Sequence, residues 1–506
     1  MRFNVFKRNV NVVANHEGAK AYRLTPETEL YAAVVTAALS DNFYEKSSLR
    51  LARIQELMGK CDPEFVARLA VYARTHMHLR SVPLVLAVEL ARLGAANGVV
   101  CHAVKGVVKR ADEITELLAY YQLANNRNGV KKLNRLSKQL QRGLAESFNA
   151  FDEYQFAKYN RPTEVKLRDA LFLVHPKAKD EAQQAVFNKI AANELAVPYT
   201  WETELSALGQ QKFENAVEKA KAFKNKWEEL IDSGKLGYMA LLRNLRNILE
   251  AGVSVTHVLK VCDMLSNEKA VLNSKQLPFR FLAAYREVKA VNSEFTVSLL
   301  NALEDAIAVS ARNIKGFGTD TSVLIACDVS GSMQKPVSAK SKVLLFDIGL
   351  VLGMLIQARC KRVISGMFGD TWKVVNMPSR GILANVNEYY RREGEVGYST
   401  NGYKVIDDLI DRHVVMDKVM LFTDCQLWNS NSGSSSIEQS WNAYKKIAPA
   451  AKLYLFDLAG YGNAPLNVQR NDVYLLAGWS DKVFDVLDAI EHGEGAIEKI
   501  KQIVLS

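Results

Sequence analysis

The chain has 506 residues, too many for a single hydrophobic core, so two or three domains are expected. Its composition, 48% hydrophobic and 24% charged, is that of an ordinary globular protein and excludes a fibrous, disordered or disulfide-stapled chain. The net charge of +10 is unevenly distributed: residues 1–315 hold 45 Lys and Arg against 34 Asp and Glu, whereas residues 316–506 hold 20 against 21. The first part of the chain is therefore expected to bind a polyanion.

The sequence also predicts a cytoplasmic protein without membrane segments. Residues 1–8 are charged but no apolar stretch follows them, which disfavours a secretory signal peptide. The longest apolar stretch, residues 343–358, is too short to cross a bilayer and contains Asp347. The six cysteines form no CxxC pair, as is typical of free thiols in a reducing compartment.

Residues 25–308 predict one helix after another, because apolar residues recur there at spacings of three and four. Asp62 followed by Pro63 is typical of a helix start. The predicted helices cover residues 27–39, 48–58, 63–75, 83–93, 103–120, 131–147, 163–174, 180–193, 202–207, 211–232, 237–250, 254–265, 277–289 and 293–309. Many short helices joined by short loops predict an all-α helical-repeat solenoid or ring, although the sequence has no fixed period.

A glycine-punctuated linker at residues 313–319 divides the chain into predicted domains 1–315 and 316–506. Beyond the linker, apolar segments of strand length alternate with helices. The predicted strands are 321–327, 362–368, 372–377, 418–423, 452–458 and 473–477, and the predicted helices are 341–358, 402–412, 437–447 and a broken helix over 481–503. This alternation predicts a doubly wound α/β domain, whose ligands bind at the carboxyl ends of the parallel strands.

Oxygen-bearing side chains follow the first of these strands in the sequence DVSGS at residues 328–332. Asp328, Ser330 and Ser332 alternate in a turn, so their oxygens can point at one spot, and hard oxygen donors suit Mg²⁺. Two further segments supply Thr400 and Asp424, the latter after another predicted strand. The alternative is that these polar residues only cap helices.

The order of these five residues resembles the metal-ion-dependent adhesion site of a von Willebrand factor A domain, over about residues 318–506. The resemblance implies that the hydroxyls of Ser330, Ser332 and Thr400 bind a divalent ion, for which Mg²⁺ is expected. It implies that Asp328 and Asp424 bind the ion directly or through water. One coordination position would stay open for an acidic group of a protein partner.

A basic stripe is predicted in the helical part. Residues 117–145 contain no acidic residue, and Lys131, Arg135, Lys138 and Arg142 recur at helical spacing with Lys132 beside them. Such a stripe suits a phosphate backbone. A solvated helix face is the alternative, and the absence of carboxylates for self-pairing favours phosphate binding.

A second cluster mixes cations with an aromatic residue and a histidine. It contains Lys158, Tyr159, Arg161, Lys166, Arg168 and His175. Arg and Tyr side chains stack on unpaired bases in many complexes with single-stranded RNA. The alternative for Tyr159 and His175 is packing at the edge of the core.

Taken together, these segments resemble the Ro autoantigen family, and specifically its bacterial members. The matching segments are KY at 158–159 with HP at 175–176, LLRNL at 241–245, NEK at 267–269 with PF at 278–279, and DVSGS at 328–332. The resemblance implies a TROVE domain built as a ring of HEAT-like helical pairs, followed by the A domain. Lys158, Arg161 and Arg168 are implied RNA contacts, although animal members have histidine where Leu167 or Arg168 aligns here.

The family implies a non-enzymatic protein that binds Y RNA-like small RNAs and single-stranded ends of misfolded or decaying RNAs. Such a protein is expected to act in RNA quality control as a monomer within a ribonucleoprotein, with an exoribonuclease tethered through RNA. A metal-dependent hydrolase using Asp328 and Asp424 is an alternative, but no His or Glu motif marks a general base. A protein-only adaptor is a second alternative, which the basic surplus disfavours.

Overall fold

A computed structural model of the protein describes residues 12–14, 20–36, 49–125, 136–160, 163–312, 321–337, 341–427, 436–461, 463–468, 470, 472–479, 483–484, 487 and 495–505. The chain forms two compact units, each built from two separate stretches of sequence. The first unit, which is mainly α/β, comprises Met1–Ala38 and Ser310–Lys499. The second unit, which is helical, comprises Leu39–Val309 and Ile500–Ser506.

The helical unit is built from short helices, as predicted. Its helices are α2 (Leu49–Met58), α3 (Pro63–Thr75), α4 (Ser81–Arg92), α5 (Val99–Val107), α6 (Ala111–Ala124), α7 (Lys138–Phe148), α8 (Glu153–Tyr159), α9 (Leu167–Val174), α10 (Glu181–Ala192), α11 (Trp201–Gly209), α12 (Ala216–Asp232), α13 (Tyr238–Glu250), α14 (Val255–Ser266), α15 (Glu268–Ser274), α16 (Pro278–Lys289) and α17 (Thr296–Arg312). α1 belongs to the other unit and is described with it below. The predicted start at Asp62 is confirmed, because its side chain accepts a hydrogen bond from Glu64 N at the start of α3.

The single helix predicted over residues 103–120 is wrong: the chain forms α5 and α6 there. Glu113 explains the break, because its carboxylate accepts hydrogen bonds from the backbone N–H of Lys109 (2.7 Å) and Arg110 (3.0 Å) and so caps the start of α6. α8 and α15 were not predicted, and α9 starts later than the predicted helix at 163–174. Short helices such as these bury few residues and leave a weak periodic signal.

Helices of this unit pack mainly on neighbours that lie close in sequence. α3 contacts α4 and α5, α5 contacts α7, α6 contacts α8 and α9, and α13 contacts α14, α15 and α16. These helices therefore bury their apolar faces against neighbours in sequence, as in stacked helical repeats. The predicted all-α repeat architecture of this part of the chain is confirmed.

The α/β unit contains a six-stranded sheet in the order β5-β4-β3-β6-β7-β9. Its strands are β3 (Ser322–Asp328), β4 (Arg362–Phe368), β5 (Trp372–Val374), β6 (Lys418–Thr423), β7 (Lys452–Asp457) and β9 (Val473–Ala477). All adjacent pairs are parallel except β4 with the edge strand β5. Every residue of β3 and β6 is buried, as the nearly continuous apolar sequence predicts.

The helices that accompany this sheet are α18 (Leu345–Arg359), α19 (Ile382–Arg392), α20 (Tyr403–Asp411) and α21 (Ile437–Ile447), with a short C-terminal helix at Ala496–Lys501 and 3-10 turns at Gly331–Gln334 and Glu393–Val396. α18, α20 and α21 match predicted helices, whereas α19 was not predicted. The broken helix predicted over residues 481–503 is described only at residues 483–484, 487 and 495–503.

The N-terminal segment belongs to the α/β unit, which differs from the predicted division at residue 315. Strands β1 (Val12–Ala14) and β2 (Lys20–Arg23) pair antiparallel, and β2 pairs with β8 (Asn463–Ala464). In α1 (Pro26–Val35), the buried Tyr31 hydroxyl donates to the carbonyl of Ala477 at 3.1 Å. Leu24 packs in the hydrophobic core of this unit. These contacts join residues that are far apart in sequence, so local patterns do not reveal them.

Within the described ranges, no helix combines the length and the hydropathy that a membrane span requires.

Candidate metal site and nucleic-acid interface

Two buried aspartates lie at the carboxyl ends of neighbouring parallel strands. Asp328 is the last residue of β3, and Asp424 directly follows β6. The strands are paired in register up to Cys327 and Phe422, which places both carboxylates at the same edge of the sheet. Ligands bind at this edge in doubly wound sheets.

Hydroxyl groups surround the two carboxylates. Asp328 accepts hydrogen bonds from Ser330 N (2.9 Å) and from the Thr423 hydroxyl (2.7 Å), and the hydroxyls of Ser330 and Ser332 are 3.2 Å apart. The Ser332 hydroxyl is near enough to Asp424 to lower the pKa of that carboxyl. The structure thus brings together four of the five predicted metal ligands, Asp328, Ser330, Ser332 and Asp424.

The loop that carries the fifth predicted ligand, Thr400, is held against this cluster. Gly331 N donates to the carbonyl of Tyr398 at 3.1 Å, and Thr400, two residues further on, is buried. Helix capping, the alternative explanation, does not account for the two aspartates. Asp328 and Asp424 instead accept from the N–H groups of Ser330 and Gln426, two residues on, within turns.

The two carboxylates destabilise each other's charged form. Burial, and then repulsion by Asp424, raise the pKa of Asp328 to about 7. Burial also raises the pKa of Asp424, while the Ser332 hydroxyl and the positive charge of Lys335 act in the opposite direction. Asp424 Oδ2 is buried and accepts no hydrogen bond from the described residues. A buried carboxylate oxygen without a hydrogen-bond donor destabilises the fold unless a cation compensates its charge.

The donor set therefore fits a hard divalent cation. Two carboxylates and several hydroxyls supply only oxygen ligands, which Mg²⁺ prefers. In the described part of the chain, no group of three or more His, Cys, Asp or Glu side chains is arranged to hold a metal. Sequence reasoning missed Thr423 and Lys335, although Thr423 directly precedes Asp424 at the strand end.

The Cys425 thiol, next to the site, does not support the alternative that the protein is a metal-dependent hydrolase. Cys425 is completely buried beside Asp424, and burial together with the nearby carboxylates raises its pKa well above the ordinary value. A buried thiol that stays protonated is not an activated nucleophile.

The basic stripe is described only in part. Lys131, Lys132 and Arg135 lie outside the described residues, whereas Lys138 and Arg142 lie in α7. The expectation that the stripe has no acidic partner is wrong for Arg142, whose Nε is 3.1 Å from Glu146 Oε1. Glu146 is one residue beyond the acid-free segment and one helical turn from Arg142, so it was overlooked.

The second cluster consists of exposed side chains on and beside α8 and α9. We call it the α8–α9 face and define it by Tyr154, Lys158, Lys166, Arg168, Phe172 and His175, all of which are exposed. Arg161 lies outside the described residues. Gln141 of α7 donates to the carbonyl of Val174 at 3.2 Å, so α7 lies against the end of α9. The two predicted basic clusters are therefore on helices in contact.

Tyr159, by contrast, is half-buried and already has a partner. The Arg110 guanidinium lies over its ring at 4.3 Å, and Arg110 is itself held by Asp112. The packing alternative is therefore correct for Tyr159. His175 ends α9 in the left-handed conformation, with φ of 51°, and its side chain is exposed. Tyr154, Phe172 and Arg110 were not predicted from the sequence.

The other segments that resemble the Ro family have structural roles. The three leucines of LLRNL are buried in α13, and Asn244 donates from its side chain to the Ala240 carbonyl at 2.8 Å. In NEK, the Asn267 side chain caps α15 by accepting from Ala270 N at 2.9 Å.

The chain thus combines a helical unit that presents exposed cations with an α/β unit whose sheet edge is rich in carboxylate and hydroxyl oxygens. The chain belongs to the TROVE domain family, whose model matches residues 28–224 and 193–315. The family is associated with RNA binding.

Known proteins and structures agree with this assignment. The chain is 26% identical to Telomerase protein component 1 of Mus musculus over 345 residues, which cover 52% of the chain and 13% of that protein. It is 26% identical to the Rattus norvegicus protein of the same name over 339 residues, which cover 51% of the chain and 12% of that protein. The chain thus spans only a small part of these relatives.

The fold is that of a solved structure described as the crystal structure of Deinococcus radiodurans RO (RSR) protein. The match covers 93% of this chain and 100% of that chain, with a TM-score of 0.58 and 18% sequence identity. The resemblance to the Ro family and the predicted fold class, helical followed by α/β, are confirmed.

Proposed function

We propose that this protein binds Y RNA-like small noncoding RNAs and single-stranded ends of misfolded or decaying RNAs through its helical unit. It acts as a cytoplasmic scaffold in RNA quality control, processing or degradation, as a monomer within a ribonucleoprotein. An exoribonuclease joins the complex through the RNA. Membership of the TROVE family and the basic surplus of residues 1–315 support this proposal.

The observation that carries the proposal is the set of uncompensated cations on the α8–α9 face. Within the described part of the chain, no acidic side chain pairs with Lys158, Lys166 or Arg168, in contrast to Arg142. Exposed cations without acidic partners are available to phosphates, and each contact with a phosphate releases counterions. A protein-only adaptor would not need such a surface.

Charge reversal at Lys158 and Arg168 tests this proposal. The double variant Lys158→Glu and Arg168→Glu should weaken binding of a structured small RNA. Its plot of log affinity against log salt should have a slope smaller by about 2, since each lost phosphate contact contributes roughly 0.9. Arg391→Glu with Lys446→Glu, at exposed positions of the α/β unit, gives a control with the same change in net charge. An equal loss in the control would contradict a specific role for the α8–α9 face.

We further propose that the α/β unit holds a divalent cation, Mg²⁺, through Asp328, Ser330, Ser332, Thr400 and Asp424. The buried Asp424 Oδ2, which lacks a hydrogen-bond donor among the described residues, supports this assignment. The ion leaves a coordination position for an acidic group of a protein partner. Asp328→Ala should abolish Mg²⁺ binding in titration calorimetry and leave RNA affinity nearly unchanged. Loss of RNA binding by the folded variant would contradict the separation of the two sites.

A further inference from the structure

We propose that Tyr154 and Phe172 are stacking platforms for unpaired bases, so that the α8–α9 face binds a single-stranded segment of RNA. This inference rests on the proposed RNA-binding function and names the form of RNA that this face takes. Neither residue was identified from the sequence. The two rings are exposed, and each has a cation beside it. The ring of Tyr159, by contrast, is covered by Arg110.

Tyr154 lies on the solvent side of α8. The buried residue of this helix is Phe156, whose ring centroid is 5.8 Å from those of Phe148 and Phe151. Tyr154 takes no part in that aromatic cluster and is 45% exposed. The ammonium group of Lys158, one turn along the helix, lies 5.7 Å from the centre of the Tyr154 ring.

Phe172 has the same arrangement on α9. This helix buries Leu167, Ala170, Leu171 and Val174 on its inner side. Phe172 lies on the outer side and is 51% exposed, which gives the ring no role in the core. The guanidinium of Arg168, again one turn away, lies 5.7 Å from the ring centre. Each exposed aromatic side chain is thus paired with a cation at a spacing of four residues.

The aromatic residue that the sequence favoured is less accessible. Arg110 covers one face of the Tyr159 ring, and two hydrogen bonds to Asp112, at 3.1 and 2.9 Å, fix the guanidinium in place. A base would have to displace this contact in order to stack there. The cations over Tyr154 and Phe172 lie farther from the ring centres, at 5.7 Å each, and no acidic side chain among the described residues holds them there.

The chemistry of the two pairs favours unpaired nucleotides. Every base presents a flat π face, and stacking on an aromatic side chain needs that face to be free, which paired bases inside a duplex do not offer. A cation one helical turn from the ring is placed for the phosphate of the same or the next nucleotide. An exposed aromatic residue alone would also suit a protein partner, but the adjacent cations without acidic partners favour a polyanion.

The experiment compares single-stranded and duplex RNA on the full chain. The probe is an oligouridylate of about 12 nucleotides carrying one 2-aminopurine, and its blunt duplex serves as the comparison. Tyr154→Ala with Phe172→Ala should weaken binding of the single strand about 10-fold or more, given that one base stack contributes roughly 5- to 150-fold, and should leave duplex binding unchanged. The change in 2-aminopurine fluorescence on binding should be lost together with the affinity.

Matched variants separate stacking from general effects. Tyr154→Phe keeps the ring and should keep the affinity, whereas Leu259→Ala removes an equally exposed apolar side chain from α14 and should have no effect. The inference is overturned if the alanine variants bind the single strand as tightly as the wild type, or lose single-strand and duplex binding equally. If Lys158→Glu with Arg168→Glu still weakens RNA binding in that case, the proposed function stands without the stacking platforms. If neither pair of substitutions weakens binding, both proposals fail.

Discussion

Replacing Asp424 with asparagine should stabilise the metal-free protein at pH 8 and abolish its response to Mg²⁺. Burial and the neighbouring Asp424 raise the pKa of Asp328 from 3.8 to about 7. The folded protein therefore holds this proton more tightly than the unfolded chain does. The resulting stabilisation is complete below pH 4 and is lost as the pH rises through about 7.

The size of the effect follows from the pKa of Asp328. A rise from 3.8 to about 7 corresponds to about 4 kcal/mol of folding free energy, at about 1.4 kcal/mol for each pKa unit. Burial is the larger cause and repulsion by Asp424 the second, so asparagine should recover less than half, about 1–2 kcal/mol. The amide oxygen of asparagine can still accept the bond from Gln426 N. In a unit of this size the melting temperature should rise by about 2–8 °C.

Thermal unfolding at pH 5 and pH 8, with a chelator or with Mg²⁺, measures this effect. At pH 8 Mg²⁺ should stabilise the wild type and not Asp424→Asn, and the variant's gain in chelator should disappear at pH 5. Asp417→Asn is the control, because Ser322 hydrogen-bonds to Asp417 and lowers its pKa, so that this substitution should destabilise at pH 8. Equal stabilisation of the wild type and Asp424→Asn by Mg²⁺ would refute the reasoning.

Three further predictions concern other parts of the molecule. Lys335→Gln removes a positive charge that acts on Asp424 and would repel a cation held there, so at pH 8 it should strengthen Mg²⁺ binding by about tenfold or less and weaken acetate binding to the Mg²⁺-loaded protein; calorimetry that shows neither change would argue against a role at the site. Leu24→Ala should lower the free energy of unfolding of the α/β unit by about 2–5 kcal/mol, measured on the unfolding transition that responds to Mg²⁺. Leu93→Ala, at an exposed position, should leave that transition unchanged. Gly143→Ala would place a Cβ 2.7 Å from Val104 Cβ and 2.9 Å from the Cys101 carbonyl, so it should cost about 1–3 kcal/mol in urea unfolding; Gly237→Ala, with open space around it, is the control.

The sequence predicted the parts of the fold that depend on local pattern. The parallel strands of the central sheet are largely apolar, and β3, β4, β6, β7 and β9 match their predicted positions within about a residue. Helix breaks were harder to predict when the capping group lies inside the next helix, as Glu113 does in α6. The inclusion of α1 in the α/β unit could not be predicted, because its contact with Ala477 joins residues 446 positions apart.

The residues of the candidate sites also differ in how far local sequence patterns identify them. Asp328, Ser330 and Ser332 are adjacent in sequence, and Asp424 ends a recognisable strand, so their meeting at one edge followed from the parallel sheet. Lys335 has no such signal, because its effect on Asp424 depends on how a turn folds back. On the α8–α9 face the sequence pattern pointed to Tyr159 and not to Tyr154 or Phe172. Only the structure distinguishes the covered ring of Tyr159 from the exposed rings of Tyr154 and Phe172.

The division of the chain into units has a consequence for folding. The α/β unit is formed by residues from both ends of the sequence, and the helical unit occupies the stretch between them. β2 can pair with β8, and Tyr31 can reach Ala477, only after nearly the whole chain has been synthesised. The contacts of the helical unit are mostly between neighbouring helices, and local contacts of that kind form fast, whereas long-range strand pairing is slow. The helical unit should therefore fold before the proposed metal site is complete. Pulsed hydrogen exchange should detect protection in α3–α6 before protection in β6 and β7.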